Sequence, residues 1–177
     1  QTATFTLVGD YDFGKKEAKI TFDFTDLNLV FLATLSKKFE QLKRFDLPVN
    51  GTVDIVVLSN GEIQKFEFDM TSNKGKIAVR SPIELDINVH ATKLRGKYDY
   101  NTGYLHIENL TLDLGKDGKL RMADPVNHEW AMQEISLMGI YDSDFDRLDI
   151  KKLNLITKGI TLNASATIQE IGGEIAF

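Results

Sequence analysis

Apolar and polar residues alternate with period two along most of the chain. Phe5, Leu7, Gly9, Tyr11 and Phe13 alternate with Thr4, Thr6, Asp10 and Asp12. Ile83, Leu85, Ile87 and Val89 alternate with Glu84, Asp86, Asn88 and His90, and Ile160, Leu162, Ala164, Ala166 and Ile168 alternate with Thr161, Asn163, Ser165, Thr167 and Gln169. Successive side chains of a strand point to opposite faces, so this pattern predicts strands with one wet and one dry face. Asn60-Gly61 lies between two such runs, and both residue types tolerate the positive φ of a tight hairpin turn. Hairpins in sequence predict an antiparallel meander of roughly nine to twelve strands.

The hairpins recur. Gly9-Asp-Tyr11-Asp12, Gly51-Thr-Val53-Asp54, Gly96-Lys-Tyr98-Asp99 and Gly139-Ile-Tyr141-Asp142 are spaced by 42, 45 and 43 residues. Such a period marks repeated supersecondary units, expected near residues 1–45, 46–90, 91–128 and 129–177 of a single repeat-built domain. Three units carry a second glycine turn, at Asn73-Lys-Gly75, Lys116-Asp-Gly118 and Thr157-Lys-Gly159, with a further strand after each. The apolar phase slips by one residue at Ile63-x-x-Phe66, Ile107-x-x-Leu110 and Ile150-x-x-Leu153. An extra residue at a β-bulge keeps both halves of each strand's apolar set on the dry face and bends the strand. A line of such bulges predicts a sheet curled into a groove, a β-taco-like shape. One segment departs from the pattern: Phe31, Leu35, Phe39 and Leu42 have helical spacing, with Pro48 beyond. It predicts a short amphipathic helix near 31–44 that covers one end of the sheet or plugs the trough.

Composition narrows the chemistry. Hydrophobic residues make up 42% of the 177, and the net charge of −5 is interspersed, which fits a packed domain and gives no basic face for nucleic acid. Lys37-Lys38 and Lys43-Arg44 read as the solvated side of the predicted helix, with contact to anionic lipid head groups as the alternative. There is no cysteine, which excludes thiol chemistry and suits either the cytoplasm or a periplasm. The longest apolar run, Leu29 to Leu35, is far short of the ~18–20 residues that span a bilayer. Gln1-Thr-Ala-Thr reads as the interior of a longer protein. The histidines, His90, His106 and His128, have no ligand spacing, and Gly172-Gly173 lacks the helix and Lys-Ser/Thr of a phosphate loop. The repeated Asp12, Asp54, Asp99 and Asp142 would sit too far apart to share a calcium ion; they read as caps on the turns that follow. No catalytic set, metal site or cofactor is expected.

What remains is the dry face. The groove-lining candidates are Phe5, Phe22, Phe24, Val53, Ile55, Phe66, Phe68, Ile87, Tyr98, Leu110, Leu112, Leu137, Leu153 and Leu155. Alternation allows two fates for this face: a sealed core, or an open trough that holds a lipid. Burial is worth ~0.8 kcal/mol per CH₂, so a 16-carbon acyl chain would gain roughly 12 kcal/mol in an apolar groove.

The stretches DLPVNGTVDIVVLSNGEIQKFEFDMTSNKGKI (46–77) and LRGKYDYNTGYLHIENLTLDLG (94–115) carry a resemblance. They resemble consecutive units of the AsmA-like family of bacterial envelope proteins, and within it the YhdP-type domain, whose units open with a "dLPv-G" start or with "L-x-G-x-Y-D". The resemblance implies a repeating β-groove of the bridge-like lipid transfer type. It implies partners that are phospholipid or fatty acyl chains and further repeats of a parent chain. It also implies a periplasmic location within an inner-membrane-anchored protein, close to a membrane through that parent, and movement of phospholipid between inner and outer membranes. The family has no active-site residues to carry over, so no enzymatic activity is expected. The alternative is a structural β scaffold of the envelope with a closed core and no ligand.

Overall fold

A computed structural model describes residues 2–35, 42–79, 85–100, 102–122, 128–142, 147–171 and 174–176. In chain order the elements are β1 (Thr4–Asp12), β2 (Glu17–Asn28), α1 (Leu29–Leu35), β3 (Phe45–Asp46), β4 (Pro48–Leu58), β5 (Ile63–Ser72), β6 (Gly75–Val79) and β7 (Leu85–Val89). They continue with β8 (Ala91–Asp99), β9 (Tyr104–Asp113), β10 (Lys119–Met122), β11 (His128–Ala131), β12 (Glu134–Asp142), β13 (Arg147–Thr157), β14 (Ile160–Ile171) and β15 (Glu174–Ala176). The fold is mainly β and antiparallel, as the alternation predicts, with one short α-helix among the described residues.

The strands form two sheets. The larger has ten strands in the order β1-β2-β4-β5-β8-β9-β12-β13-β14-β15, and the smaller has five in the order β11-β10-β7-β6-β3. Neither returns on itself, so the large sheet is open, with β1 and β15 at its edges. Each small-sheet strand is joined by a short connector to one large-sheet strand: β3 to β4, β6 to β5, β7 to β8, β10 to β9 and β11 to β12. The order of the five connections is the same in both sheets. The sheets are therefore two arms that meet along a crease, and crease residues are deeply buried: Val89 at 0%, Leu114 at 2% and Leu47 at 5% exposed. Backbone bonds stitch the crease, among them Leu114 N–H to the Gln133 carbonyl (2.8 Å) and His90 N–H to the Asp113 carbonyl (2.7 Å). One core cluster takes Phe24, Val53, Phe68 and Leu112 from the large arm and Ile77 and Ile87 from the small arm.

The predicted slips are present. The register shifts opposite Gln64, between Ile63 and Lys65; at Glu108, between Ile107 and Asn109; and between Ile150 and Leu153. A further shift lies in β2 between Phe24 and Leu27, where Asp26 adopts φ 56°.

Some expectations change. The meander is divided between two sheets, because the chain at residues 73–74 and 114–118 crosses to the other arm instead of returning beside the same strand. Thr157-Lys-Gly159 does the opposite. Gly159 at φ 75° closes a tight turn, and β14 runs back along β13 in the large sheet, where Thr157 pairs with Ile160 and the ladder continues to Arg147 and Gln169. The anchor glycines also do not share one row. Gly96 and Gly139 both lie opposite Ile107, whereas Gly51 lies opposite Met70 and Gly9 opposite Ile20.

The helix begins two residues earlier than predicted, because Asn28 Oδ1 accepts the N–H groups of Val30 (2.8 Å) and Phe31 (3.3 Å) and caps it. Ala33 is buried and Phe31 is 60% exposed, so Phe31 does not sit on the covered face. Residues 36–41, with Phe39, Lys37 and Lys38, lie outside the described residues. Asp12 caps its turn as expected, accepting the N–H groups of Gly14 (2.8 Å) and Lys15 (3.0 Å). Asp54 does not, because β4 runs on to Leu58 and the carboxylate accepts the Thr21 hydroxyl instead.

Candidate functional site

Directly opposed residues of an antiparallel pair share a face, so the register assembles the candidates into rows across the large sheet. One row reads Phe5, Phe24, Gly51, Met70, Leu94, Leu110, Leu137, Leu153, Ala164. The next, farther from the crease, reads Leu7, Phe22, Val53, Phe68, Gly96, Ile107, Gly139, Ile150, Ala166. A third reads Gly9, Ile20, Ile55, Phe66, Tyr98, Leu105, Tyr141, Leu148, Ile168, and on the crease side Leu112, Ile135, Leu155 and Leu162 stand opposite one another. The register thus brings together every candidate but one on a single face. Ile87 stands on β7 of the small arm and faces the same core cluster.

Accessibility divides the candidates. Phe24, Val53, Phe68, Leu112 and Ile87 are buried at 5–8% exposure where the arms meet. Phe22, Ile55, Phe66, Tyr98, Leu110, Leu137, Leu153 and Leu155 are half-buried. Phe5 is 55% exposed, as is Leu162 at the opposite end. The cause is the unequal length of the arms. The small arm accompanies only β4, β5, β8, β9 and β12, so β1 and β2 at one end and β13–β15 at the other have no strand across from them. At about 4.8 Å per strand the apolar face from β1 to β14 is about 38 Å wide, and the accompanied part about 19 Å.

Side-chain bulk falls along the face. Aromatic rings crowd the β1–β5 end: Phe5 stacks on Phe22 with centroids 5.6 Å apart, and Phe66 and Phe68 lie 5.9 Å apart. Ala164 and Ala166 occupy the same rows at β14. Leu7, Ile20, Met70, Leu94, Leu105, Ile107, Leu148 and Ile150 belong to the rows as well. Their alternation is legible in sequence, but row membership needs the register.

Charge is confined to the reverse face. Glu108 pairs with Arg95 (3.2 Å) and Lys97 (3.6 Å), and Lys65 with Glu67 (2.7 Å). Cross-strand Thr–Asp pairs recur there: Thr21 with Asp54 (2.5 Å), Thr52 with Asp23 (2.5 Å) and Thr167 with Asp149 (2.9 Å). Hydrogen bonds from the Arg147 guanidinium and the Thr167 hydroxyl hold the Asp149 carboxyl below the ordinary carboxylate range. The backbone N–H groups of Lys15 and Gly14 do the same for Asp12. A depression of about 200 Å³ on this polar side is lined by Thr52, Asp54, Glu67, Asp69, Arg95 and Glu108, with Arg95 and Glu108 paired within it. His106 lies edge-on to Tyr104 (6.3 Å) opposite Lys97, and His90 packs at the crease over Gly115. Among the described residues no group of three or more His, Asp or Glu is placed to hold a metal ion, and no helix is long and apolar enough to cross a membrane.

The chain finds no match among family models, curated proteins or solved structures.

Proposed function

We propose that this chain is a non-enzymatic, lipid-binding segment of a bacterial envelope protein. In this reading it holds phospholipid or fatty acyl chains along the apolar face of its large sheet as they move through the periplasm between inner and outer membranes. The observation that carries the proposal is the uninterrupted apolar surface running from β1 to β14, with rows of large side chains left half-buried and both ends unaccompanied by the second arm. An alkyl chain lying across the strands meets hydrocarbon at every step of about 4.8 Å, so no single displacement removes it from apolar contact. Charged groups are absent from the rows and present on the reverse face, so the head group would have to remain at the open side, in water.

Titrating delipidated protein with a fluorescent fatty acid and with a fluorescent phospholipid tests the reading. Saturable binding competed by unlabelled lipid is expected. A flat titration, together with lipid-free protein by native mass spectrometry after mild purification, would remove it. A second reading has its own support. The burial of Val53, Phe68, Leu112 and Ile87 where the arms meet is what an envelope scaffold with a closed core would need, and a flat titration would favour it.

A further inference from the structure

The tyrosines are segregated. All five in the chain, Tyr11, Tyr98, Tyr100, Tyr104 and Tyr141, lie at the hairpin ends of the large sheet, the ends farthest from the crease. Tyr11, Tyr98 and Tyr141 are the next-to-last residues of β1, β8 and β12, Tyr104 opens β9, and Tyr100 lies in the turn between β8 and β9. The apolar rows nearer the crease carry aromatic rings without hydroxyls, in Phe5, Phe22, Phe24 and Phe68. The pattern holds on interior strands with a neighbour on each side. Tyr98 and Tyr141 share one row of the apolar face, with Leu105 between them. Tyr100, two residues beyond Tyr98 and 48% exposed, meets the Tyr98 ring edge to face at 4.6 Å. Tyr104 stands on the reverse face, opposite Asp99 and Asp142.

This rim coincides with the mouth between the arms. The described strands of the small arm have at most five residues, whereas β4, β5, β8, β9 and β12 have nine to eleven. At about 3.3 Å per residue the small arm reaches about 17 Å and the large arm about 30–36 Å. The outer half of the large arm, tyrosines included, has no described small-arm strand across from it. A phenol joins an apolar ring to a hydroxyl that takes a hydrogen-bond partner, and it suits a level where one end is dry and the other wet. The apolar rows contain no Lys or Arg, so a polar group at this level meets neutral donors and no cation.

We propose that Tyr98 and Tyr100 form the subsite for the polar end of the lipid, their hydroxyls donating to the ester and phosphate oxygens of a glycerophospholipid whose acyl chains lie on the rows between rim and crease. The inference rests on the reading of that face as a lipid path. It adds the substrate class: esterified glycerolipids held by hydrogen bonds and not by charge.

The test titrates delipidated protein with two fluorescent probes, a phospholipid labelled on its acyl chain and diphenylhexatriene, a hydrocarbon with no acceptor. The double variant Tyr98→Phe/Tyr100→Phe keeps both rings and removes both hydroxyls. It is expected to bind phospholipid about five- to tenfold more weakly, as the loss of one or two hydrogen bonds dictates, and to bind the hydrocarbon as before. Tyr104→Phe, on the reverse face, is expected to change neither. Phosphatidylethanolamine and phosphatidylglycerol probes with the same chains are expected to bind alike at low and high salt. If the wild type binds neither probe, the lipid-path reading falls and this inference with it. If both bind and the double variant keeps its phospholipid affinity, or loses the hydrocarbon equally, the hydroxyls are not the subsite and this inference alone falls. It falls likewise if the hydrocarbon binds and phospholipid does not, if Tyr104→Phe has the same effect as the double variant, or if one head group is preferred in a salt-dependent way.

Discussion

Gly9 and Gly96 open the same sequence motif, Gly-x-Tyr-Asp, yet the fold predicts opposite responses to alanine. At Gly96 an added Cβ would stand 2.5 Å from the His106 carbonyl oxygen and 2.7 Å from Phe68 Cζ. The oxygen belongs to the adjoining strand and the ring to the core, so neither yields without moving the ladder. Overpacking of this kind costs about 1–3 kcal/mol. At Gly9 nothing lies within 4 Å, the backbone is extended, and alanine reduces the freedom of the unfolded chain. Glycine inside a strand is disfavoured by roughly 0.5–1 kcal/mol relative to alanine, so Gly9→Ala is expected to stabilise by about that much. The two variants should therefore separate by about 1.5–4 kcal/mol. Urea unfolding followed by circular dichroism reads this as midpoints displaced in opposite directions at constant slope. Equal destabilisation by both substitutions would mean that β1 and β8 lie in like surroundings, and the account of β1 as an uncovered edge would be wrong.

Phe68→Ala is expected to cost about 3–5 kcal/mol, as a buried ring does, and Phe5→Ala under about 1 kcal/mol at its exposed position; chemical denaturation compares them directly. The Thr92 hydroxyl is buried without a partner among the described residues, so Thr92→Val is expected to be neutral or to stabilise by about 1 kcal/mol, and a loss larger than that would reveal a partner for it. Asp149 has a folded pKa lowered from 3.8. Its contribution is therefore present above the unfolded value and lost as the pH falls through the lowered one. The stability difference between wild type and Asp149→Asn should appear at neutral pH and vanish in strong acid, and a pH-independent difference would remove the carboxylate from the cause.

Period-two alternation made the strands legible, because each has one wet and one dry face, and the one-residue slips at 63–66, 107–110 and 150–153 located the bulges. The division into two sheets was hidden. Asn73-Lys-Gly75 and Thr157-Lys-Gly159 look alike as turn signals, yet the first lets the chain cross the crease and the second reverses it. The difference lies in whether the next strand finds its longer ladder beside its predecessor, as β14 does, or on the other arm, as β6 does. Helical spacing placed Phe31 on a covered face, but the helix turns Phe31 outward, while Ala33 is buried and Leu29 packs against the core. The candidate face was legible by alternation except for the depth of each side chain. Phe68 and Phe5 read identically in sequence and differ because the small arm lies across from β5 and not from β1.

The most direct test compares neighbours on one strand. A photoreactive amino acid at position 66 faces the apolar rows, and at position 67 it faces the charged side. Incubated with radiolabelled phospholipid and irradiated, the protein labelled at 66 is predicted to capture lipid while that labelled at 67 does not. Capture at neither position, or equally at both, would contradict a lipid path along the inner face of the sheet.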